Sequence, residues 1–207
     1  MIGFYNYTVI LTYIGMLCGF GGLMYISNGD LKMSLYMLLA AGFCDMFDGK
    51  VASTMKKRTK PAKRFGIQID SLSDLICFGV LPAMIVFHCT GRDIIHGIIP
   101  GLYVLCALIR LAWFNVDEEE RQEQQTGCRE KYLGLPVTTM SLFLPLFVGA
   151  MCKLSLPLDK IAPWFMLAVA MAFITPFRMK KPGIFGIILM SLCGIATLVL
   201  VIFGVPA

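Results

Sequence analysis

The chain has 207 residues, 57% of them hydrophobic and only 15% charged, with a formal net charge of +5. Ordinary soluble domains carry about 25% charged residues, so a water-soluble globule is excluded. The length leaves no room for a separate soluble domain, so residues 1–207 read as one integral membrane domain with no nucleic-acid partner.

A helix needs about 20 predominantly apolar residues to cross a bilayer. Taken in chain order, seven segments meet that need: Tyr7–Ser27, Lys32–Thr54, Phe65–Cys89, Ile94–Val116, Leu135–Cys152, Ile161–Phe177 and Gly183–Gly204. No basic segment precedes the first stretch and no small-residue cleavage site follows it. It is also longer than the roughly 7–15 apolar residues of a signal core, so it is expected to remain as the first helix. The expected fold is an all-α membrane protein, a bundle of about seven transmembrane helices around a polar cavity. Asp117–Tyr132, which opens with Asp117, Glu118, Glu119 and Glu120, reads as a solvated connector. The eight cysteines, Cys18, Cys44, Cys77, Cys89, Cys106, Cys128, Cys152 and Cys193, show no CxxC or zinc spacing. They read as small hydrophobes filling apolar helices.

Basic residues set the orientation. Lys50, Lys56, Lys57, Arg58, Lys60, Lys63, Arg64, Arg121, Arg129, Lys131, Arg178, Lys180 and Lys181 fall on one side; Lys32, Arg92, Lys153 and Lys160 fall on the other. The richer side is expected to be cytoplasmic, with the N-terminus on it and the C-terminus across the membrane.

Against this apolar background four carboxylates stand out: Asp45 and Asp48 in the second segment, Asp70 and Asp74 in the third. Ionisable groups inside spans are costly and default to a functional reading. Residues three or four apart share a helix face, and antiparallel neighbours joined at the cytoplasmic side can turn these faces toward each other. Four converging carboxylates repel and call for a cation. Oxygen ligands of this kind suit a hard divalent ion, and Mg²⁺ typically shares its shell with substrate phosphates. One or two Mg²⁺ or Mn²⁺ ions are therefore expected. An ion-pair network with loop bases, or the path of a divalent-cation transporter, would also use acids. A transporter, however, should line its route through the bilayer, and these four lie together at one end. Gly49, Ala52 and Gly66 are small residues beside the acids. They would let a ligand approach the backbone closely, and a slot edged by lysine and arginine suits a nucleotide diphosphate.

The pattern Asp45-x-x-Asp48-Gly49-x-x-Ala52, continued by Gly66-x-x-x-Asp70-x-x-x-Asp74, resembles the signature of the CDP-alcohol phosphotransferases. The stretches Phe65–Ala83, Leu108–Asn115 and Gly134-Leu135-Pro136 are similar to the phosphatidylserine synthase branch, and the resemblance covers roughly residues 5 to 140. It implies a six-helix catalytic core and a likeness in chemistry. Asp45, Asp48 and Asp70 would hold divalent metal. Asp74 would act as general base and could also touch a metal. The serine hydroxyl would attack the β-phosphorus of CDP-diacylglycerol and release CMP. The backbone near Gly49, Ala52 and Gly66 would receive the nucleotide. The resemblance also implies a homodimer in the cytoplasmic membrane. In two respects the chain departs from the pattern: Ser53 stands where the family usually has arginine, and the stretch from there to Gly66 is about four residues longer than common. A nearby base, Lys50, Lys56 or Lys57, would have to substitute for that arginine.

Arg110 lies inside the fourth segment among apolar neighbours. An arginine there needs a partner, and its fork grips carboxylates in two-pronged fashion. It is expected in the serine pocket, or else paired to one of the aspartates. Asn115 is expected to contribute a hydrogen bond to the same pocket. A phosphorylated acceptor such as glycerol 3-phosphate or inositol phosphate would want more intramembrane bases than this one, which favours serine. His88 and His96 fall on the far side, away from the site, and Pro136 suits a helix start.

Overall fold

The computed structural model describes residues 3–55, 59–124, 131–180 and 184–205. After a 3₁₀ turn at Tyr7–Val9, α1 spans Ile10–Ser27 and α2 spans Leu31–Thr54. Between them the backbone reverses at Gly29, whose φ of +89° suits glycine. Asp30 caps α2 by accepting from the Met33 N–H at 2.9 Å. The next helix, α3 at Lys60–Asp74, is capped by Thr59, which accepts from the Ala62 N–H, and has Pro61 in its first turn. It runs through a π-helical segment, Leu75–Val80, into α4 at Leu81–Cys89. Together they form one apolar rod, Lys60–Cys89. Beyond it come α5 (Ile94–Gln124), a short strand β1 (Lys131–Leu133), α6 (Met140–Lys153), α7 (Leu158–Ile174), strand β2 (Arg178–Lys180) and α8 (Ile184–Gly204). The strands pair antiparallel, Tyr132 opposite Met179.

Each of the seven expected segments is helical, and the fold is that of an all-α membrane protein. Tyr7–Ser27, Lys60–Cys89 and Ile94–Glu120 are long and apolar enough to cross a bilayer by length and composition; Val137–Lys153 and Ser191–Gly204 are shorter apolar helices. The polar site explains why α2 lacks that composition, since it carries Lys32, Asp45, Asp48 and Lys50. Several boundaries differ from expectation. The fifth segment becomes helical only from the 3₁₀ turn at Val137 and the sixth runs Leu158–Ile174, while Gly183 lies outside the described residues. The third segment starts at Lys60 rather than Phe65, because Thr59 and Pro61 build a helix start ahead of the apolar run. The acidic stretch from Asp117 opens as helix: α5 carries it to Gln124, as its glutamates, glutamines and Arg121 are good helix formers, and residues 125–130 of the expected connector lie outside the described residues.

The core is apolar and continuous. Leu35 and Leu38 of α2, Phe78 and Leu81, Tyr103 of α5, Met140 and Leu144 of α6 and Phe173 of α7 are buried in it. Large apolar side chains also cover the outside: Leu17 and Phe20 on α1, Trp113 on α5, Trp164 on α7 and Phe203 on α8 are exposed. In water such a surface would associate; against lipid it is the natural one. On its inner side α1 packs through glycines. A Cβ on Gly19 would stand 2.5 Å from Cys77 Sγ, and one on Gly22 would stand 2.7 Å from Leu81 Cδ2. Such small residues let membrane helices approach closely, and here they draw α1 against the segment that carries Asp70 and Asp74.

Candidate active site

Asp45 and Asp48 lie on one face of α2, Asp70 and Asp74 on one face of the last turns of α3. The faces meet. Asp45, Asp70 and Asp74 each offer a carboxylate oxygen, and these oxygens all lie within 4.8 Å of one another. Asp45 rests against Asp74, and Asp48 against Asp70. The four aspartates line one cavity together with Thr12, Ser73 and Cys77. Asp48 is 9% exposed, and its Oδ2 accepts from Thr12 Oγ1 at 3.2 Å.

Carboxylates this close repel, and taking them out of water adds to the cost. Among the described residues none of the four pairs with a lysine or arginine. The structural ion-pair network therefore has no support here, and the cluster calls for a mobile or bound cation instead. Its donor set, all oxygen and all anionic, fits Mg²⁺ or Mn²⁺. It is also the one group of three or more acidic, histidine or cysteine side chains among the described residues that converges tightly enough to hold an ion. A transport path would need a succession of such groups.

The profile of the CDP-alcohol phosphatidyltransferase family matches residues 5–176. The chain belongs to that family. The match extends through α7, well past the motifs that were legible in the sequence. Among curated relatives, a CDP-diacylglycerol–serine O-phosphatidyltransferase from Helicobacter pylori is 28% identical over 70% of this chain and 57% of its own length. One from Saccharomyces cerevisiae is 34% identical over 64% of this chain and 51% of its own length. An archaetidylserine synthase from Methanothermobacter thermautotrophicus is 29% identical over 83% of this chain and 68% of its own length. The chain thus matches little more than half the length of the first two.

The remaining expected residues of this CDP-alcohol phosphatidyltransferase domain are placed as follows. Gly49 is exposed on α2 directly after Asp48, and a Cβ there would have nothing within 4 Å. Lys50 is exposed beside it, with Nζ 5.4 Å from the Phe47 ring centroid. Ala52 follows on α2, and Gly66 lies one turn before Asp70 on α3; both are half-buried. Lys56 and Lys57 lie outside the described residues. Asn115 of α5 accepts from Ser71 Oγ at 2.7 Å and donates to Gln68 Oε1 at 3.5 Å, which ties α5 to the turn of α3 holding Asp70. Arg110 is 8% exposed; its Nε donates to the Leu135 carbonyl at 3.3 Å, and the guanidinium lies 5.8 Å from the Phe114 ring centroid. That carbonyl follows Gly134, whose φ is +74°. A Cβ on Gly134 would stand 3.2 Å from the Phe173 carbonyl oxygen and 3.4 Å from Arg110 Nε. Only glycine fits comfortably there, so the Gly134-Leu135-Pro136 turn presents a carbonyl to Arg110 as well as opening α6.

Sequence reasoning missed the share of α1. Thr12 and Gly15 carry no charge and blend into an apolar helix, and only the packing reveals that they border the carboxylates, next to Ser73 of α3.

Proposed function

We propose that the protein transfers the phosphatidyl group of CDP-diacylglycerol to L-serine, giving phosphatidylserine and CMP. The observation that carries this reading is the convergence of Asp45, Asp48, Asp70 and Asp74 from α2 and α3 on one cavity, with no lysine or arginine paired to them among the described residues. The choice of serine is supported by the names of the relatives, two of them CDP-diacylglycerol–serine O-phosphatidyltransferases and one an archaetidylserine synthase.

Asp45, Asp48 and Asp70, with Asp74, would hold one or two Mg²⁺ or Mn²⁺ ions, which when bound would neutralise charge on the pyrophosphate and on the leaving oxygen. Asp74 takes the proton of the serine hydroxyl as its oxygen forms a bond to the β-phosphorus. The bond from that phosphorus to the bridging oxygen breaks, and CMP leaves with the electron pair. Gly49, Ala52 and Gly66 give the nucleotide close access to backbone, with Lys50 at its phosphates in place of the arginine that Ser53 replaces. Arg110 and Asn115 form the serine side of the pocket, Arg110 toward the amino-acid carboxylate and Asn115 as a hydrogen-bond partner. The donor's acyl chains stay in the bilayer, so the cavity opens sideways to lipid as well as to the cytoplasm. The excess of lysine and arginine in the loops on one side supports a site on the cytoplasmic face of a multi-pass protein of the cell membrane, and the resemblance to the family supports a homodimer as the functional unit.

The test is incorporation of labelled L-serine into lipid by the purified protein with CDP-diacylglycerol and Mn²⁺ or Mg²⁺, beside an Asp74→Asn control. Labelled phosphatidylserine that requires metal and Asp74 is the expected result. CMP release with glycerol 3-phosphate or inositol phosphate, and none with serine, would keep the chemistry and overturn the acceptor.

A further inference from the structure

The four aspartates belong to α2 and α3, yet both helices are tied to one residue of α1. Thr12 Oγ1 donates to Asp48 Oδ2 at 3.2 Å, and the carbonyl oxygen of the same residue accepts from Ser73 Oγ at 3.4 Å. Ser73 stands immediately before Asp74. Thr12, Asp48 and Ser73 are all buried. One turn further along, the Gly15 carbonyl accepts from Cys77 Sγ at 3.4 Å, which continues the same seam.

The direction of the Thr12 hydroxyl is informative. In an apolar helix a threonine hydroxyl ordinarily bonds back to the carbonyl four residues earlier. Thr90, Thr175 and Thr197 do so here, to Val86, Met171 and Cys193. Thr12 instead sends its proton across to another helix and onto a carboxylate. A buried aspartate has two rotatable side-chain bonds, and repulsion from three neighbouring carboxylates would swing it away from the cluster. A charge-assisted hydrogen bond to one oxygen opposes that swing.

We infer that Thr12 is the positioning residue of the carboxylate cluster: its hydroxyl holds the Asp48 carboxylate in place, and its carbonyl, through Ser73, holds the turn of α3 that presents Asp70 and Asp74. This rests on the metal-dependent reading above. It assigns the site a third helix, α1, outside the stretch 45–74 that carries the signature.

The experiment compares wild type with Thr12→Val, which keeps the shape and the carbonyl but removes the hydroxyl, and Thr12→Ser, which restores the hydroxyl. Mn²⁺ binding to the full purified chain is titrated by electron paramagnetic resonance without substrate, with thermal unfolding followed alongside. Groups that orient a metal ligand are typically worth about 10–100-fold in affinity or activity, so Thr12→Val is expected to weaken Mn²⁺ binding about tenfold. Thr12→Ser is expected to return it close to the wild-type value. In the serine assay, the Mn²⁺ concentration for half-maximal rate moves with the binding constant. The KM for L-serine at saturating Mn²⁺ stays put, a split that general loosening of the helices would not produce. If Thr12→Val does not fold, Thr12→Ala, which relieves any crowding, takes its place with the same expected shift. A hydroxyl-free variant that binds Mn²⁺ like wild type, or a serine variant as weak as the valine one, overturns the proposal. Wild type that binds no Mn²⁺ at all overturns it too, along with the metal reading beneath it.

Discussion

Two groups of ionisable side chains lie along the rod Lys60–Cys89, and they could hardly differ more. Midway along it, where Asp70 and Asp74 face Asp45 and Asp48 of α2, four aspartates of one sign share a cavity with no basic partner among the described residues. Just past its end, Asp93 and His96 form an exposed pair at 2.6 Å, and Asp93 also accepts from the His96 backbone N–H as α5 begins. Arg92 and His88 lie together there as well, at 2.6 Å. The second group is what a helix start at a membrane surface requires and no more. The first is what a stable fold avoids, since like charges held together in an apolar setting oppose folding. A chain keeps such a cluster for what it binds.

That contrast can be broken or sharpened by measurement. The largest effect is expected from Asp74→Asn, which should lower phosphatidylserine formation by about 10²–10⁴-fold, the usual worth of a proton-transfer group, as read by labelled-serine incorporation. Second, Asp45→Asn and Asp70→Asn should abolish the Mn²⁺-induced rise in Tm, yet in metal-free detergent each should unfold at a higher temperature than wild type. A variant that is both less active and more stable is the signature of strain kept for function; a fall in Tm without metal would mean that the carboxylates hold the fold instead. Third, Gly19→Ala forces a methyl against Cys77 Sγ. Overpacking of this kind costs about 1–3 kcal/mol, so the Tm of this variant should fall with or without metal. The smallest effect belongs to the outer pair. The backbone N–H of His96, and then its side chain, hold the Asp93 carboxyl below the usual range. The sign follows from that: its stabilisation is present above the ordinary aspartate pKa and fades as pH falls through the lowered one. Being fully exposed, Asp93→Asn should leave Tm near wild type at neutral pH, and activity unchanged.

The legible and illegible parts of this molecule divide on physical lines. Asp45, Asp48, Asp70 and Asp74 were legible because a charge in an apolar helix has few other reasons to exist. The seven helical segments were legible because hydropathy is a summed property, robust to any one residue. Glu118 to Gln124 misled because charge was read as solvent exposure, whereas helix propensity and exposure are compatible on a rod that extends beyond the bilayer. Thr12 and Ser73 were silent because a hydroxyl can satisfy itself on its own helix, so its presence does not announce a partner. The carbonyl that Arg110 finds at Leu135 was equally hidden, for it depends on a left-handed glycine next door rather than on any side chain.

The π-helical segment Leu75–Val80 begins at the residue after Asp74. Such a segment closes i→i+5 hydrogen bonds and so holds one residue more per bonded ring than the α-helix on either side. Here it separates two tasks by phase. Upstream, Asp70 and Asp74 must point at α2; downstream, Leu81 and Ile85 must point into the core. Each residue of an α-helix turns it by about 100°, so adding or removing one residue in the regular turns on either side of Leu75–Val80 would rotate one half against the other. The carboxylates or the core would then face the wrong way, and no loop stands between them to absorb the error. Only the π turn itself, which already holds one residue more per bonded ring, could lose a residue and leave the two halves close to their present phase, so the rod behaves as two gears on one axle.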